Sequence, residues 1–204
     1  MMLDLSSVTD GLLGLIKTGW SGAPIWEELD APGPTFTPTF TGLAPDAIRA
    51  LGGAQLSLFL YHAETDNAQE SSLWSAQMAR SPGQPVRYLP LALNLYYLLS
   101  AFSETSYVQE QQAMSVALRI LHANAVVRSD ATDDPAWQLT LTMEHRSYDE
   151  LSRLWQATTA PLRLSVIYRA AVVFLTPDDP VAAAQKVTTA HASVNGDDVS
   201  VTGP

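Results

Sequence analysis

The stretch from residue 89 to residue 99 constrains the fold of this chain more than any other segment. It runs LPLALNLYYLL, so apolar side chains fall on both faces of an extended strand. Such a strand is stable only when both of its faces are covered, which places it at the centre of a sheet. The run is interrupted by Asn94 and is too short to cross a bilayer, so we expect no membrane span.

Three other segments have the two-residue period of a β-strand. Residues 56–61 alternate leucine with other side chains, and residues 137–144 alternate apolar with polar side chains. Residues 162–175 form the last and longest apolar segment, with Arg163 and Arg169 on its more polar face. The sequence therefore predicts a mixed sheet of about four main strands.

Ahead of this sheet, the pattern predicts one helix and one extended segment. Apolar residues share one face from about residue 4 to residue 18, which indicates a docked amphipathic helix, and Gly19 is a suitable place for it to end. Residues 20–46, named here the strap, hold prolines at a density that blocks regular ladders. We expect an extended strap, with Phe36 and Phe40 packed on this subunit or on a neighbour.

Two further helices begin at capping-box patterns. Ser106 with Gln109, and Ser147 with Glu150, have the spacing in which the two side chains satisfy each other's free backbone N–H groups. Apolar residues at helical spacing follow both boxes, and Pro161 ends the second helix. Helices thus alternate with strands along the chain and pack on the sheet, which is an α+β fold.

We expect one domain over residues 1–175 and a short C-terminal tail over residues 176–204. Residues 62–88 form a long polar connection, and connections of this length are uncommon unless they have a function. Trp74 stands within it and is a candidate anchor for a partner.

Composition excludes several classes of function. The chain has 21 acidic and 11 basic side chains, a formal charge of −10, which disfavours nucleic-acid binding. It has no cysteine, so disulfides, thiolate nucleophiles and cysteine-bound metals are excluded. Residues 1–14 lack the basic head and cleavage site of a signal peptide. We therefore expect synthesis in the cytoplasm and no secretion signal, with later release only as part of an assembly.

The sequence shows no catalytic or cofactor signature. His62, His122, His145 and His191 lack the mutual spacing of a helical metal site, and His122 instead suits the last turn of its helix as a cation. No GxSxG elbow is present. We expect no metal and no cofactor.

Glu64 and Asp66 are the best-placed acidic residues for an enzymatic site, because they follow a strand end directly. One alternative is therefore a small hydrolase-like enzyme with an acidic site there. A solvated loop explains the same pair more simply.

Five segments resemble, in order and spacing, segments of one known family. They are residues 56–61 with the following Asn67, residues 90–99, residues 118–127, residues 151–155 and residues 164–168. The second is similar to a family strand written PLALDLHYLLT, and the fourth to a helix written ELSRLW. The family is the tail-cap, or tail-terminator, family of extracellular contractile injection systems, of the antifeeding prophage and Photorhabdus virulence cassette type. The chain departs from it after Asn67, where an Arg-Asn pair is missing.

The resemblance implies a structural protein and not an enzyme. Family members form a ring, expected to be a hexamer by analogy with the six-fold tube and sheath. The ring sits on the end of the particle distal to the baseplate, ends polymerisation and holds the sheath to the inner tube. A baseplate adaptor of the same particle is a second alternative. Candidate interface residues are Phe36, Phe40, Asn67, Trp74, Arg163 and Arg169.

Two segments are open to two interpretations. Residues 35–41 and residues 199–202 have strand-like composition. Each can pair with a strand of another chain by β-augmentation, or cover the edge of its own sheet.

Overall fold

The computed structural model describes residues 4–28, 34–48, 51–69, 91–129 and 136–174. Predictions for Trp74, His191, the tail 176–204 and most of the connection 62–88 lie outside these ranges. The helices are α1 (Leu5–Trp20), α2 (Ile25–Glu28), α3 (Pro45–Ile48), α4 (Tyr107–Ala123) and α5 (Tyr148–Ala157). The strands are β1 (Thr39–Thr41), β2 (Gln55–Thr65), β3 (Leu91–Phe102), β4 (Val126–Arg128), β5 (Trp137–Glu144) and β6 (Ser165–Phe174).

The strands form one six-stranded sheet in the order β1-β2-β3-β6-β5-β4. All neighbouring pairs are antiparallel except β1 and β2, which run parallel. The predicted α+β class with a mixed sheet is confirmed, and β3 is central as its apolar faces required. The prediction of about four main strands missed β1 and β4, because three residues each are too few to show a period.

Helices cover both faces of the sheet. On the α1/α4 face, the odd-numbered side chains of β3 from Leu95 to Ala101 join one large core with both helices. On the α5 face, Leu98 and Ile167 enclose Trp155 of α5 in a smaller core. Side chains of a strand point alternately to the two faces, so β3 supplies both cores at once.

The predicted strap is more ordered than its prolines suggested. It contains α2 and β1, and α3 begins at its end. Strand β1 pairs with β2 in a register that sets Phe40 opposite Leu56. The Thr39 N–H donates to the Ala54 carbonyl at 2.9 Å. The expectation that proline blocks every ladder was wrong here, because Pro38 precedes the three paired residues and leaves their N–H groups free to bond. Residues 39–41 therefore cover the edge of their own sheet.

Several predicted boundaries change in the structure. The connection assigned to 62–88 starts too early, because β2 continues through Thr65 despite its polar side chains. This part of β2 pairs with the start of β3, as in Thr65 opposite Leu93. The central strand ends three residues later than predicted, at Phe102, and the last strand is shorter than predicted, at Ser165–Phe174.

One of the two capping boxes forms. The Ser147 hydroxyl accepts from the Glu150 N–H, and the Glu150 carboxylate accepts from the Ser147 N–H at 2.9 Å. Ser106 caps α4 by accepting from the Gln109 N–H, but the Gln109 side-chain oxygen accepts from the Ser103 hydroxyl instead of closing the box. The start signal at Ser106 was thus correct as a cap and wrong as a reciprocal box.

Helix α1 runs through Gly19, where its end was predicted. A Cβ on Gly19 would lie 2.9 Å from Ile120 Cδ1 of α4, and one on Gly11 would lie 2.9 Å from two ring carbons of Trp137. Both glycines therefore permit close packing rather than ending the helix. Gly14 differs, because no atom lies within 4 Å of its Cβ position.

These contacts predict opposite effects of the same substitution. Gly14→Ala should raise the free energy of unfolding by about 0.5–1 kcal/mol, because alanine removes the cost of glycine inside a helix. Gly11→Ala should lower it by about 1–3 kcal/mol, because the rigid, buried indole of Trp137 must move. Urea unfolding of both variants tests this pair, and equal effects of the two would contradict the packing described.

Candidate assembly surfaces

A cluster of aromatic and charged side chains lies on the α5 face, where β2 and β3 meet the start of α5. The Tyr96 hydroxyl donates to Glu64 Oε1 at 2.7 Å, and His62 Nε2 lies 3.6 Å from Glu64 Oε2. The Arg146 guanidinium lies 5.8 Å from the Tyr96 ring centre and 3.8 Å from a Glu150 oxygen. Each charge in the cluster thus has a partner within the chain.

This arrangement does not favour acid–base catalysis at Glu64. The Tyr96 hydroxyl lowers the pKa of the exposed Glu64 carboxyl, with a smaller lowering by His62. The same hydrogen bond raises the pKa of Tyr96. A general acid at neutral pH needs a raised carboxyl pKa, whereas Glu64 is held as an anion.

Replacing Tyr96 with phenylalanine should therefore raise the pKa of Glu64 towards its ordinary value. His62→Gln, which removes the smaller contribution, should raise that pKa less. Folding lowers the pKa of Glu64, so any stabilisation by the Tyr96–Glu64 hydrogen bond is fully present above the pKa that Glu64 has in the unfolded chain. This stabilisation is lost as the pH falls through the pKa of Glu64 in the folded protein. NMR titration of the Glu64 carboxyl carbon measures both variants, and an unchanged pKa in Tyr96→Phe would contradict the hydrogen bond.

Asp66, predicted in the acidic site, and Asn67, predicted as an interface residue, lie where a short helical turn begins after β2. The Asp66 carboxylate accepts from the Ala68 and Gln69 N–H groups, both at 3.2 Å, and the Asp66 N–H donates to the Ala92 carbonyl. The Asn67 side-chain oxygen accepts from the Thr65 hydroxyl at 3.3 Å. Asp66 therefore stabilises the turn, and a carboxylate used in this way is poorly placed for chemistry.

Both predicted interface arginines form ion pairs within the chain. Arg163 Nη1 donates to Glu110 Oε1 at 2.7 Å, and its guanidinium lies 5.5 Å from the Phe102 ring centre. Arg169 Nε donates to Glu144 Oε1 at 2.9 Å. These pairs tie the last strand to its neighbours, and the side chains keep about a third of their surface exposed, 39% and 35%.

Phe36 and Phe40 pack on Trp20, at the end of α1. Their ring centres lie 5.7 and 5.5 Å from that of Trp20, in edge-to-face geometry. Both rings are only half-buried, and Phe40 lines an open groove between α1 and the strap. This α1–strap groove has a volume of about 750 Å³. It is lined by residues of α1 and of the strap: Asp10, Leu13, Gly14, Lys17, Trp20, Ser21, Pro34, Thr37, Pro38, Thr39 and Phe40. Asp10 and Lys17 both line the α1–strap groove, so its lining carries one charge of each sign.

The opposite edge of the sheet carries a second apolar surface that the sequence did not predict. Met143 was expected on the buried face of its strand but is 62% exposed, and Val126 of the edge strand β4 is 56% exposed. Met143 lines a cavity of about 250 Å³, whose walls include Leu118, Leu121 and Tyr168. Val126 pairs with Thr140 and therefore points to the other face of the sheet. Alternation along a strand does not show where the covering helix ends, so the exposure of Met143 was not readable from the pattern.

Within the described ranges, no group of histidine and carboxylate side chains is arranged to hold a metal ion. His122 lies exposed in the last turn of α4, where its charge was predicted to suit the helix end. None of the described helices combines the length and the apolar character that a bilayer crossing requires.

Comparison with known proteins gives one family and two similar structures. The family model of the Pvc16 N-terminal domain matches residues 8–189. The sheath/tube terminator of the PVC extracellular contractile injection system, in its extended state, aligns with 97% of this chain at 17% identity and a TM-score of 0.57. The tube-terminating cap of the anti-feeding prophage aligns with 94% of it at 17% identity and a TM-score of 0.49.

The chain spans 65% of the length of that PVC terminator and 62% of the anti-feeding prophage cap. No curated protein matches it. At this identity, the likeness to the PVC terminator shows a shared fold. The family match covers most of the chain and agrees with the order of the five resembling segments, and on that basis this chain belongs to the Pvc16 N-terminal domain family.

Proposed function

We propose that this chain is a structural cap subunit of a contractile injection particle, placed on the distal end of its tube and sheath. The observation that carries the proposal is the family match over residues 8–189. The fold shared with a sheath/tube terminator over 97% of the chain supports it. In this role the protein ends polymerisation and anchors the last sheath layer.

The edges of the sheet suit a protein that ends growth. An open edge strand invites pairing with further chains, and natural proteins shorten or block such edges. Here both edge strands are three residues long, and Pro38 directly precedes β1. Proline lacks the N–H that an added strand needs, so lengthening of the sheet at β1 is disfavoured.

The partners proposed are further copies of the same chain in a ring, the inner tube protein and the sheath protein. A hexamer matches the six-fold symmetry expected of tube and sheath. The half-exposed Phe40, and Arg163 and Arg169 with a third of their surface free, remain candidates for these contacts. Phe36, Asn67 and Trp74 complete the proposed interface set. The protein is made in the cytoplasm and leaves only with the particle.

An enzymatic role has less support. Glu64 is exposed and held as an anion, and Asp66 caps a turn, so the best acidic pair has structural functions. Glu64→Gln should therefore leave particle number and sheath length unchanged. A baseplate adaptor would differ from a cap in its position on the particle, near the baseplate instead of at the distal end.

Deleting the gene tests the proposed function. Particles made without this protein should have tubes and sheaths of unregulated length, or sheaths that contract early, and complementation with the wild-type gene should restore one length. Electron microscopy of purified particles gives the length distribution. An unchanged distribution with intact extended sheaths would contradict a terminating role.

A further inference from the structure

A small cavity lies at the end of the sheet where β2 begins and β3 ends. Gln55 and Phe102 are paired across these two strands and point to the same face of the sheet. The cavity has a volume of about 100 Å³. It is lined by residues of these strands and of the loops at this end: Ile48, Gly52, Gly53, Gln55, Phe102, Ser103, Glu104 and Arg163.

Gln55 is the buried polar side chain of this cavity. The residue is only 4% exposed, and its Nε2 donates to the Gly52 carbonyl. This donation fixes the orientation of the amide, because a flipped amide would set its oxygen against the Gly52 oxygen. The Gln55 Oε1 atom then has no hydrogen-bond partner in the described part of the chain. A buried acceptor without a donor costs free energy, so a donor that reaches Oε1 is stabilised there.

The charges at the cavity favour a cation over an anion. Arg163 is engaged by Glu110, 2.7 Å away, and the Ser103 N–H donates to the same carboxylate. Glu104 is exposed and has no ion pair or hydrogen bond with any residue in the described ranges. These three side chains carry one positive and two negative charges, a net charge of −1. The free acceptors, Gln55 Oε1 and the Glu104 carboxylate, both require a donor.

Apolar side chains exposed beside the cavity indicate a protein partner. Leu51 directly precedes Gly52 in the chain, and Leu162 and Leu164 flank Arg163. All three leucines are at least 37% exposed. Large exposed apolar side chains grouped with a polar cavity are typical of a protein interface, and a free amine would not need them.

We propose that this cavity receives a lysine side chain of a neighbouring protein in the particle. The inference rests on the proposed cap function and adds the chemistry of one of its contacts. The lysine ammonium donates to Gln55 Oε1 and pairs with Glu104, and apolar residues beside that lysine pack on the exposed leucines. An ammonium is compact and has three donors, which suits two acceptors on different side chains within about 100 Å³. The planar guanidinium of arginine is matched instead to the two oxygens of one carboxylate.

Glu104→Gln tests the pairing, because it removes the charge and keeps the length of the side chain. Urea unfolding should show wild-type stability, since the carboxylate has no partner in the described part of the chain. Incorporation into particles should fall about tenfold or more. Glu27→Gln, the same change on the exposed side of α2, should incorporate normally. Arg49 follows Ile48 in the sequence, and an equal loss in Arg49→Gln would give Glu104 a partner within its own chain and overturn the proposal.

Zero-length crosslinking with a carbodiimide identifies the partner in assembled wild-type particles. The reagent joins a carboxylate to a lysine amine only when the two groups are in contact, and peptide mass spectrometry locates the new amide. We expect a crosslink between Glu104 and a lysine of another chain. The same crosslink should be absent from particles that carry Glu104→Gln.

The outcomes separate this inference from the function beneath it. Normal incorporation of Glu104→Gln, with or without a crosslink, would overturn the lysine contact and leave the cap role intact; the cavity then holds water only. A loss of incorporation without a lysine crosslink to Glu104 in wild-type particles would overturn the assignment of lysine. Absence of the wild-type protein from particle ends would overturn the cap role and, with it, this contact.

Discussion

Replacing Trp155 with alanine is expected to lower the free energy of unfolding by about 3–5 kcal/mol. The indole is 1% exposed and is packed between Leu98 and Ile167 on the α5 face. Its Nε1 also donates to the Ser165 hydroxyl at 3.0 Å. Among the described residues, Leu98 and Ile167 are the other buried hydrophobic members of this core, so the space left by the indole cannot be refilled cheaply. Chemical unfolding of the isolated protein measures the loss.

Two milder variants separate packing from hydrogen bonding. Trp155→Phe keeps most of the ring volume, and Ser165→Ala removes only the acceptor, so each should cost about 1–3 kcal/mol. If Trp155→Ala were as stable as wild type but failed to enter particles, the indole would belong to an interface rather than to this core.

Replacing Trp20 with alanine is expected to have an effect of similar size, about 3–5 kcal/mol, on the other face of the sheet. Trp20 is 3% exposed and contacts Trp26, Phe36 and Phe40 with ring centres 5.5–5.7 Å away. Its Nε1 donates to the Phe36 carbonyl at 3.2 Å. The side chain therefore joins α1 to the strap, and its loss should also loosen the pairing of β1 with β2.

Hydrogen exchange measured on the same variant reports the release of β1. Amides of residues 39–41 should exchange faster in Trp20→Ala, while those of β6 change less. Trp20→Phe is the control, because it keeps the aromatic contacts and loses the N–H donor, at a cost of about 1 kcal/mol. Unchanged exchange of residues 39–41 in Trp20→Ala would show that the strap is held by other contacts.

The contacts of the strap also determine the expected effect of deleting part of it. Removing residues 35–41 takes away β1, which pairs with β2, and both phenylalanines that pack on Trp20. The deletion is therefore expected to destabilise the domain itself, so point variants on the groove side are the cleaner test of assembly.

Elements with a full period of apolar residues were predictable from the sequence. The strand around Leu95, the strand from Trp137 and the helix capped by Ser147 all follow patterns that bury one side or both. The short edge strands were not, because β1 and β4 exist through pairing with β2 and β5 and have no pattern of their own. Gly19 shows the same limit, since its close contact with Ile120 is a tertiary feature.

The candidate surfaces were predictable only in part. Phe36 and Phe40 were singled out because aromatic residues in a proline-rich segment must pack somewhere, and they pack on their own Trp20 while leaving one side open. The exposure of Met143 depends on where α4 ends relative to β5, which no local pattern encodes. The partners of Glu64 depend on the register of β2 against β3, which brings Tyr96 beside it.

The most direct test of the cap role is the position of this chain in the assembled particle. Particles carrying a small tag on the chain, imaged by cryo-electron microscopy with a tag-binding antibody fragment, give that position. We expect density at one end only, distal to the baseplate, in several copies around the tube axis. Label at the baseplate, along the sheath, or absent from intact particles of normal length would contradict the proposed function.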